Sequence, residues 1–451
     1  MNQELEFEEK IIRASSKLAS DLRFIQDRKQ LALAKLKDLK FPNKKEEDWK
    51  YFKFSDILDF EDSASEALSE TEIASLINKY VYEETSSQLI VTVDGNYRKD
   101  LSNFNSEIIV VANFNRADEL DSELKSITED LFASGLEQES SYFKTVNTVL
   151  MDNGFLLKIK ANSHSDKAVQ VLHISTKNNF NQIRSLIHAG KNSSANLIVN
   201  YIGVGRYLTN AVIETKLEAG AQLKLNKIQN DSHQATSLYQ LNASLMRDSD
   251  FEFNSFSFGA LSSRDDINID LREEAASAQV NGLYVVNQDR KSHHKVCINH
   301  LAAHTESQQL FKGLLQDQAR AEFNGLIDVA RDAQKINAEQ LNNNLLLSKH
   351  AHIDSRPQLN ILADDVKCAH GSTVGMLDPE ELFYLQSRGL TEAEAKAILT
   401  YSFCQEIINK IDIESGRNYA SNLAFSSLGS SDNKVLASLA GNTKFKHSRY
   451  D

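Results

Sequence analysis

The chain has 451 residues, too many for one ordinary hydrophobic core, so two or three structural units are expected. Its composition, 41% hydrophobic and 25% charged, is that of a soluble globular protein, and no run of about 18 apolar residues offers a membrane span. With 50 basic against 63 acidic side chains the net charge is −13, and no basic stripe stands out. That argues against a nucleic-acid binder, which needs a positive face to release counterions.

The amino end, MNQELEFEEK, has neither a basic n-region nor an apolar h-region, so no secretory signal is read there. Residues 5–38 carry Ile11, Ile12, Leu18, Leu22, Ile25, Leu31 and Leu36 at three- and four-residue spacings among charges. This predicts one long amphipathic helix ending before Phe41-Pro42. The run EEDWKYFKF (46–54) holds the only tryptophan, and Trp49, Tyr51 and Phe52 read as an anchor that docks this helix. From 66 to 153, helical stretches (66–81, 117–134) alternate with β-like runs (88–94, 107–112). A hairpin turn is expected at Asp94-Gly95-Asn96. A helical and α/β unit is therefore expected over 1–154.

Near 155 the character changes. Short β-prone runs follow one another at 155–160, 168–175, 196–202, 211–217, 221–228, 237–245, 251–258, 266–271 and 278–286. Several alternate with period two, as in Phe251 and Phe253 or Val280, Gly282 and Tyr284. Such a stretch, reaching 376, fits either two packed β domains or a solenoid. Pro357 is its only proline, and Asn, Asp, Ser and Gly punctuate it closely, which favours the solenoid. Asn342-Asn343-Asn344 before three leucines reads as a polar corner leading into a strand.

From 377 to 451 the signature is helical. Asp378-Pro379-Glu380-Glu381 is a helix start, Gly389 a stop, and Thr391 with Glu394 a capping box. The next helix carries Ala395, Ile398, Leu399, Phe403, Ile407, Ile408 and Ile411 on one face. A helical hairpin is expected, then a frayed Ser-, Asn- and Lys-rich tail from about 426.

Two clusters could carry chemistry. His293, His294, Cys297, His300 and His304 resemble a metal-ligand set, but an extended chain turns residues an odd number apart to opposite faces and spreads the rest by about 3.3 Å per residue. A polar strand and turn is the simpler reading. Cys368 and His370 lie two apart and share a face if extended, as two ligands for iron or sulfur or as a nucleophile and base. A cysteine packed as a small hydrophobe is the competing account, and the one that spacing alone favours. Cys297, Cys368 and Cys404 are too few and scattered for a disulfide framework and fit a reducing, cytosolic compartment. Phosphate-loop, dinucleotide, nucleophile-elbow and HExxH patterns are absent.

The run RPQLNILADDVKCAHGSTVGMLDPEELFYLQSRGL (356–390) resembles the carboxy-terminal signature of the SufB/SufD family. LFKGLLQDQARAEFNGLIDV (310–329) and QLNNNLLLS (340–348) are similar to its β core. The AHGSTVG after Cys368 and the early EEDWKYF are similar to the SufD branch; the SufB pattern after that cysteine resembles EHEATTS. The resemblance implies a mainly β fold: a right-handed parallel β-helix core flanked by an amino-terminal α/β domain and a carboxy-terminal helical one.

It also implies a non-catalytic scaffold subunit for iron–sulfur cluster assembly. Such a subunit pairs with a SufB-like subunit and binds a SufC-like ABC ATPase; a homodimer is one form open to an isolated chain. No cofactor would be held stably, and iron or a nascent cluster would pass through transiently. His370 and Cys368 fall on the positions implicated at the interface, with His370 the iron ligand. In this frame Leu382, Phe383 and Leu385 are expected to meet the ATPase. Ile361 and Leu362, near the end of the β region, are expected to pair with a strand of the SufB-like subunit. Two rival readings are a SufB-type scaffold that receives persulfide sulfur and a β-helix polysaccharide-active enzyme.

Overall fold

The alternating runs after residue 155 form strands, and each pairs in parallel with the strand two places along the chain rather than with its neighbour. The computed structural model describes residues 2–16, 18, 20–58, 68–136, 141–176 and 178–426. Its amino-terminal part holds α1 (Asn2–Ser15), α2 (Arg23–Asp38), α3 (Ser55–Leu58), α4 (Glu70–Tyr80), α5 (Ser122–Leu131) and α6 (Tyr142–Leu150). Among them lie β1 (Gln88–Val93), β2 (Asn96–Tyr97), β3 (Asn103–Phe104) and β4 (Ile109–Asn113).

The β core begins with β5 (Phe155–Ile159), β6 (Val169–Ser175), β7 (Phe180–Ala189), β8 (Ser194–Gly203), β9 (Leu208–Leu217), β10 (Gln222–Asn230), β11 (Thr236–Leu245) and β12 (Asp250–Ser257). It continues with β13 (Ser262–Leu271), β14 (Ser277–Val286), β15 (Lys291–His300), β16 (Glu306–Leu315), β17 (Arg320–Val329), β18 (Ile336–Leu346), β19 (His352–Ile361) and β20 (Val366–Gly375). Three helices follow: α7 (Pro379–Ser387), α8 (Glu392–Ile408) and α9 (Glu414–Ser426).

Even-numbered strands from β6 to β20 make one sheet, extended by β1 at its start. Odd-numbered strands from β5 to β19 make the other, capped by antiparallel β4. The protein is mainly β, with a parallel β-helix core between an amino-terminal α/β region and carboxy-terminal helices, as expected. Because side chains alternate along a strand, every second residue enters the space between the sheets. Leu223 and Leu225, Phe251 and Phe253, Tyr239 and Leu241, Ile267 and Ile269 all lie there without appreciable exposure.

The outer faces are covered in part. Phe143 and Val146 of α6 pack with Leu186, Leu208 and Leu238 of the odd sheet. Cys404, Ile407, Ile411 and Phe425 of α8, α9 and their link pack with Ile198, Ile228 and Phe256 of the even sheet. One corner of the coil is a stack of left-handed residues: Asn162, Asn192, Gly220, Asp248, Ala275, His304 and Lys335 all have φ between 52° and 70°. Their amides join successive coils, as where Asn192 donates to the Ala219 carbonyl and Lys335 to that of Asp365.

Four expectations are corrected. The single helix over 5–38 is two, because the Ser15 and Ser16 hydroxyls donate back to the carbonyls of Ile12 and Arg13 and end α1. Strand β7 has no counterpart among the expected runs, since Asn181, Gln182 and Arg184 break its apolar pattern. Arg184 is nevertheless buried, ion-paired with Glu214 at 2.6 Å. Asn342-Asn343-Asn344 is no corner but the middle of β18, where the Tyr284 hydroxyl holds buried Asn342 and Asn344. The helical hairpin has a third member, α9, whose buried Ala420, Ala424 and Phe425 are spaced for one face. The expected hairpin turn forms, with Asp94 at φ 49° and Gly95 at φ 84°, and the tail beyond 426 lies outside the described residues.

Candidate interface and iron site at the open end of the β-helix

Among the described residues each sheet ends at the carboxy-terminal side of the core with an unpaired edge: β19 pairs only with β17, and β20 only with β18. Helices α8 and α9 lie on the outer face of the even sheet, and among the described residues the end stays open, with Leu362, Val374 and Met376 each more than half exposed.

Cys368 and His370 stand on β20, in register with Ala338 and Gln340 of β18. Ala338 and Gln340 are buried between the sheets, so the two candidates share the inward row of the last strand, as their spacing predicts. His370 is exposed; Cys368 is half-buried against the apolar cluster of Ile336, Ala338 and Val329. Burial pushes the Cys368 thiol up, so it keeps its proton near neutrality unless a metal displaces it. Imidazole and thiolate both suit iron, so the donors fit. Among the described residues no group of three or more His, Cys, Asp or Glu side chains could hold a metal ion, so the pair is at most a fraction of a coordination sphere.

Ile361 closes β19 and packs half-buried on the same apolar cluster, whereas Leu362 follows the strand and is 56% exposed. The amides of His352 and Leu362 donate to the carbonyls of Ala319 and Val329 on the β17 side. Register between β17 and β19 is unbroken, so the intervening odd residues turn their amides to the free edge. Pro357, which has no amide hydrogen, falls on that free side, where an edge strand tolerates proline.

Further out, α7 starts at the Asp378 cap with Pro379 in its first turn and buries no residue. Leu382 and Leu385 are half-buried, while Phe383 is 72% exposed beside exposed Tyr384.

The histidine cluster does not converge. His293 faces outward, hydrogen-bonded to Glu322 at 3.1 Å and packed beside Phe52. His294 and His300 enter the interior: the first meets Ser292, and the second, lowered to about 4 by burial, meets Thr305 and Ser307. His304 is a corner residue with φ 59°. Cys297 is pushed up to about 11 by burial, aided by Asp328, and Cys404 up to about 12, so neither is a ready nucleophile. Trp49 anchors the amino-terminal segment to the β-helix itself: the Arg264 guanidinium lies 3.9 Å from its ring, and neighbouring Asp48 meets Lys295 at 2.6 Å.

Sequence reasoning missed the polar residues inside the last coils, notably Gln309 and Gln340. They occupy every-second positions on strands, so their parity with buried apolar neighbours was the available signal.

Comparison with known proteins agrees with this architecture. The SufBD protein N-terminal region matches residues 5–171, and the SufBD core domain of the SUF system for FeS cluster assembly matches 172–403. An iron–sulfur cluster assembly SufBD family protein of Synechocystis is 28% identical over 411 residues, covering 86% of this chain and 88% of the relative. The SufD proteins of Escherichia coli and Bacillus subtilis are 30% identical over 258 residues and 27% over 290, covering 56% and 62% of this chain. Those matches span 61% and 65% of the two SufD proteins, less than two thirds of their length. No helix among the described residues is long and apolar enough to cross a membrane. With family models matched from residue 5 to residue 403, the chain belongs to the SufB/SufD family of iron–sulfur cluster assembly proteins.

Proposed function

We propose that this chain is a non-catalytic, cytoplasmic scaffold subunit of the SufD type that helps to bring iron to a nascent cluster. The reading rests on one observation above others: His370 and Cys368 share the inward row of β20, the last strand of its sheet, whose outer edge is free among the described residues. An imidazole and a thiol at an open edge do not complete a site, so the remaining ligands come from another chain. A SufB-like subunit seated on β19 and β20 would bring its own ligands there and cover Leu362, Val374 and Met376. The carboxy-terminal unit, 377–451, offers α7 to a SufC-like ABC ATPase through Phe383, with half-buried Leu382 and Leu385 on the same helix. Iron and the cluster are cargo in this scheme, with no resident cofactor, and the isolated chain forms a homodimer over the same edges.

The test is co-expression with the two partners, followed by affinity capture and iron analysis. The three subunits should co-purify, and His370→Ala should leave that assembly intact while lowering its iron content several-fold. Cys368→Ala should be milder, because its thiol packs against Ala338 and Ile336. Unchanged iron in an intact His370→Ala complex would remove the site.

A further inference from the structure

Stacked carboxamides form a directional ladder, in which each NH2 donates to one neighbour and each carbonyl is left for a donor on the opposite side. The last coils of the β-helix hold such a ladder in the row Val280, Gln309, Gln340, His370, in register across β14, β16, β18 and β20. Gln340 Nε2 donates to Gln309 Oε1 at 2.8 Å, and neither glutamine has any exposed surface. Each keeps one buried atom without a partner, Gln309 Nε2 and Gln340 Oε1. The orphan nitrogen is explained by the row: beyond Gln309 comes Val280, which cannot accept. The orphan oxygen lies on the other flank. Donating towards β16 turns the Gln340 carbonyl towards β20, one strand spacing of about 4.8 Å away, and the residue in register there is His370.

A buried carbonyl oxygen calls for a donor, and an imidazole N–H is the one that this row supplies. His370 is exposed, so its ring can rotate to meet it. The opposite wall makes room for the ladder at Gly325 of β17, where an added Cβ would stand 2.3 Å from Gln340 Nε2.

We propose that Gln340 is the positioning residue of His370. Its carbonyl accepts one imidazole N–H, which fixes the tautomer and leaves the other ring nitrogen bare for iron. Holding the distal nitrogen of a histidine ligand in this way orients the ring and raises its basicity. The inference rests on the reading of His370 as an iron ligand, and the experiment separates the two.

The full chain is labelled with 15N-histidine, and its imidazole N–H signals are recorded at pH ~8, well above the value of an ordinary imidazole. One signal, assigned by its loss in His370→Ala, should persist against exchange with water. It should vanish in Gln340→Leu and in Gly325→Ala, which displaces the amide without touching histidine or glutamine, and return in Gln340→Glu, which keeps an acceptor. Ferrous-ion binding by the assembled complex should weaken on the order of 10-fold in the first two variants and recover in the third. A signal absent from the parent, or unchanged in Gln340→Leu, overturns the proposal; should that variant not fold, Gly325→Ala decides on the same readout. If the signal behaves as stated while His370→Ala binds iron normally, the hydrogen bond stands and the iron reading falls.

Discussion

Lys227 Nζ stands 2.5 Å from Asp265 Oδ1 inside the β-helix, and neither side chain is more than 3% exposed. The ammonium also lies 4.2 Å from the Tyr239 ring centre, and the Ser255 hydroxyl donates to the second carboxylate oxygen. A dry interior tolerates the pair because each charge neutralises the other, so removing one partner strands the other. Lys227→Met should cost about 3–5 kcal/mol in urea unfolding, while Lys227→Met with Asp265→Leu should recover most of that loss. A double variant as unstable as the single would mean that packing, not charge, dominates at this position.

The same pair sets a pH dependence. Burial alone would raise the Asp265 carboxyl, but Lys227 and His294 outweigh it and hold the group well below the ordinary carboxylate range. A depressed carboxylate contributes stability that is present above its unfolded value, ~4, and is lost as pH falls towards the folded one. Below pH ~4 the parent should therefore lose stability more steeply than the double variant. Parallel profiles of the urea midpoint against pH would show that Asp265 carries no proton-linked stability.

Ala275 offers a gain. It is exposed, sits in the left-handed corner stack at φ 59°, and has a Cβ that this conformation disfavours. The penalty of about 1–2 kcal/mol for a side chain there exceeds the roughly 0.5–1 kcal/mol of extra chain entropy that glycine carries. Ala275→Gly should stabilise by about 0.5–1 kcal/mol in the same unfolding assay. A loss instead would mean that the corner relaxes around its alanine.

What the sequence made legible follows from where the fold's information lies. Phe251, Phe253 and Val280 alternate within single strands, so β12 and β14 stand out to period-two reading. The repeat does not, because coils differ in length: Gln222 pairs with Asp250, Asp250 with Ser277, Ser277 with Glu306 and Glu306 with Asn337, in unequal steps. Nor do the corner residues share a chemistry, since Asn, Gly, Asp, Ala, His and Lys all occupy equivalent turns. For the site, the shared face of Cys368 and His370 could be read from their spacing, but their place at an open edge came from the family resemblance. Gln309 and Gln340 lie 31 residues apart, and Lys227 and Asp265 lie 38 apart. Strand register brings the glutamines together, and the facing of the two sheets across the interior brings Lys227 to Asp265.

The exposed helix α7 gives a clean test of the proposed ATPase contact. Removing everything from 378 onward would also strip α8 and α9 from Ile198, Ile228 and Phe256 and expose apolar surface on the even sheet. Phe383 is largely exposed on a helix that buries no residue of its own, so for Phe383→Ser stability should stay within about 0.5 kcal/mol. Its capture of the SufC-like ATPase should fall by on the order of 10-fold, as expected for an exposed aromatic anchor. Normal capture would move the contact off this helix.

The free edge of β19 distinguishes two neighbouring residues that sequence alone treats alike. Leu362 donates its amide to Val329, so proline there would break a bond inside the β-helix. Ile361 is one residue earlier, so its amide faces the free edge, where a strand of the SufB-like partner would accept it. Ile361→Pro therefore removes an intermolecular donor and spares the internal ladder, at a cost of about 0.5–1.5 kcal/mol for the bond. The side chain must be controlled for, because Ile361 packs against Ile327 and Val329. Ile361→Ala loses that packing yet keeps the donor. Size-exclusion chromatography of the co-expressed pair should show dissociation at lower dilution for Ile361→Pro than for Ile361→Ala, with circular dichroism unchanged between them. Equal behaviour of the two variants would mean that the partner does not pair with the β19 backbone, and His370 on the adjoining sheet would lose its place at a subunit junction.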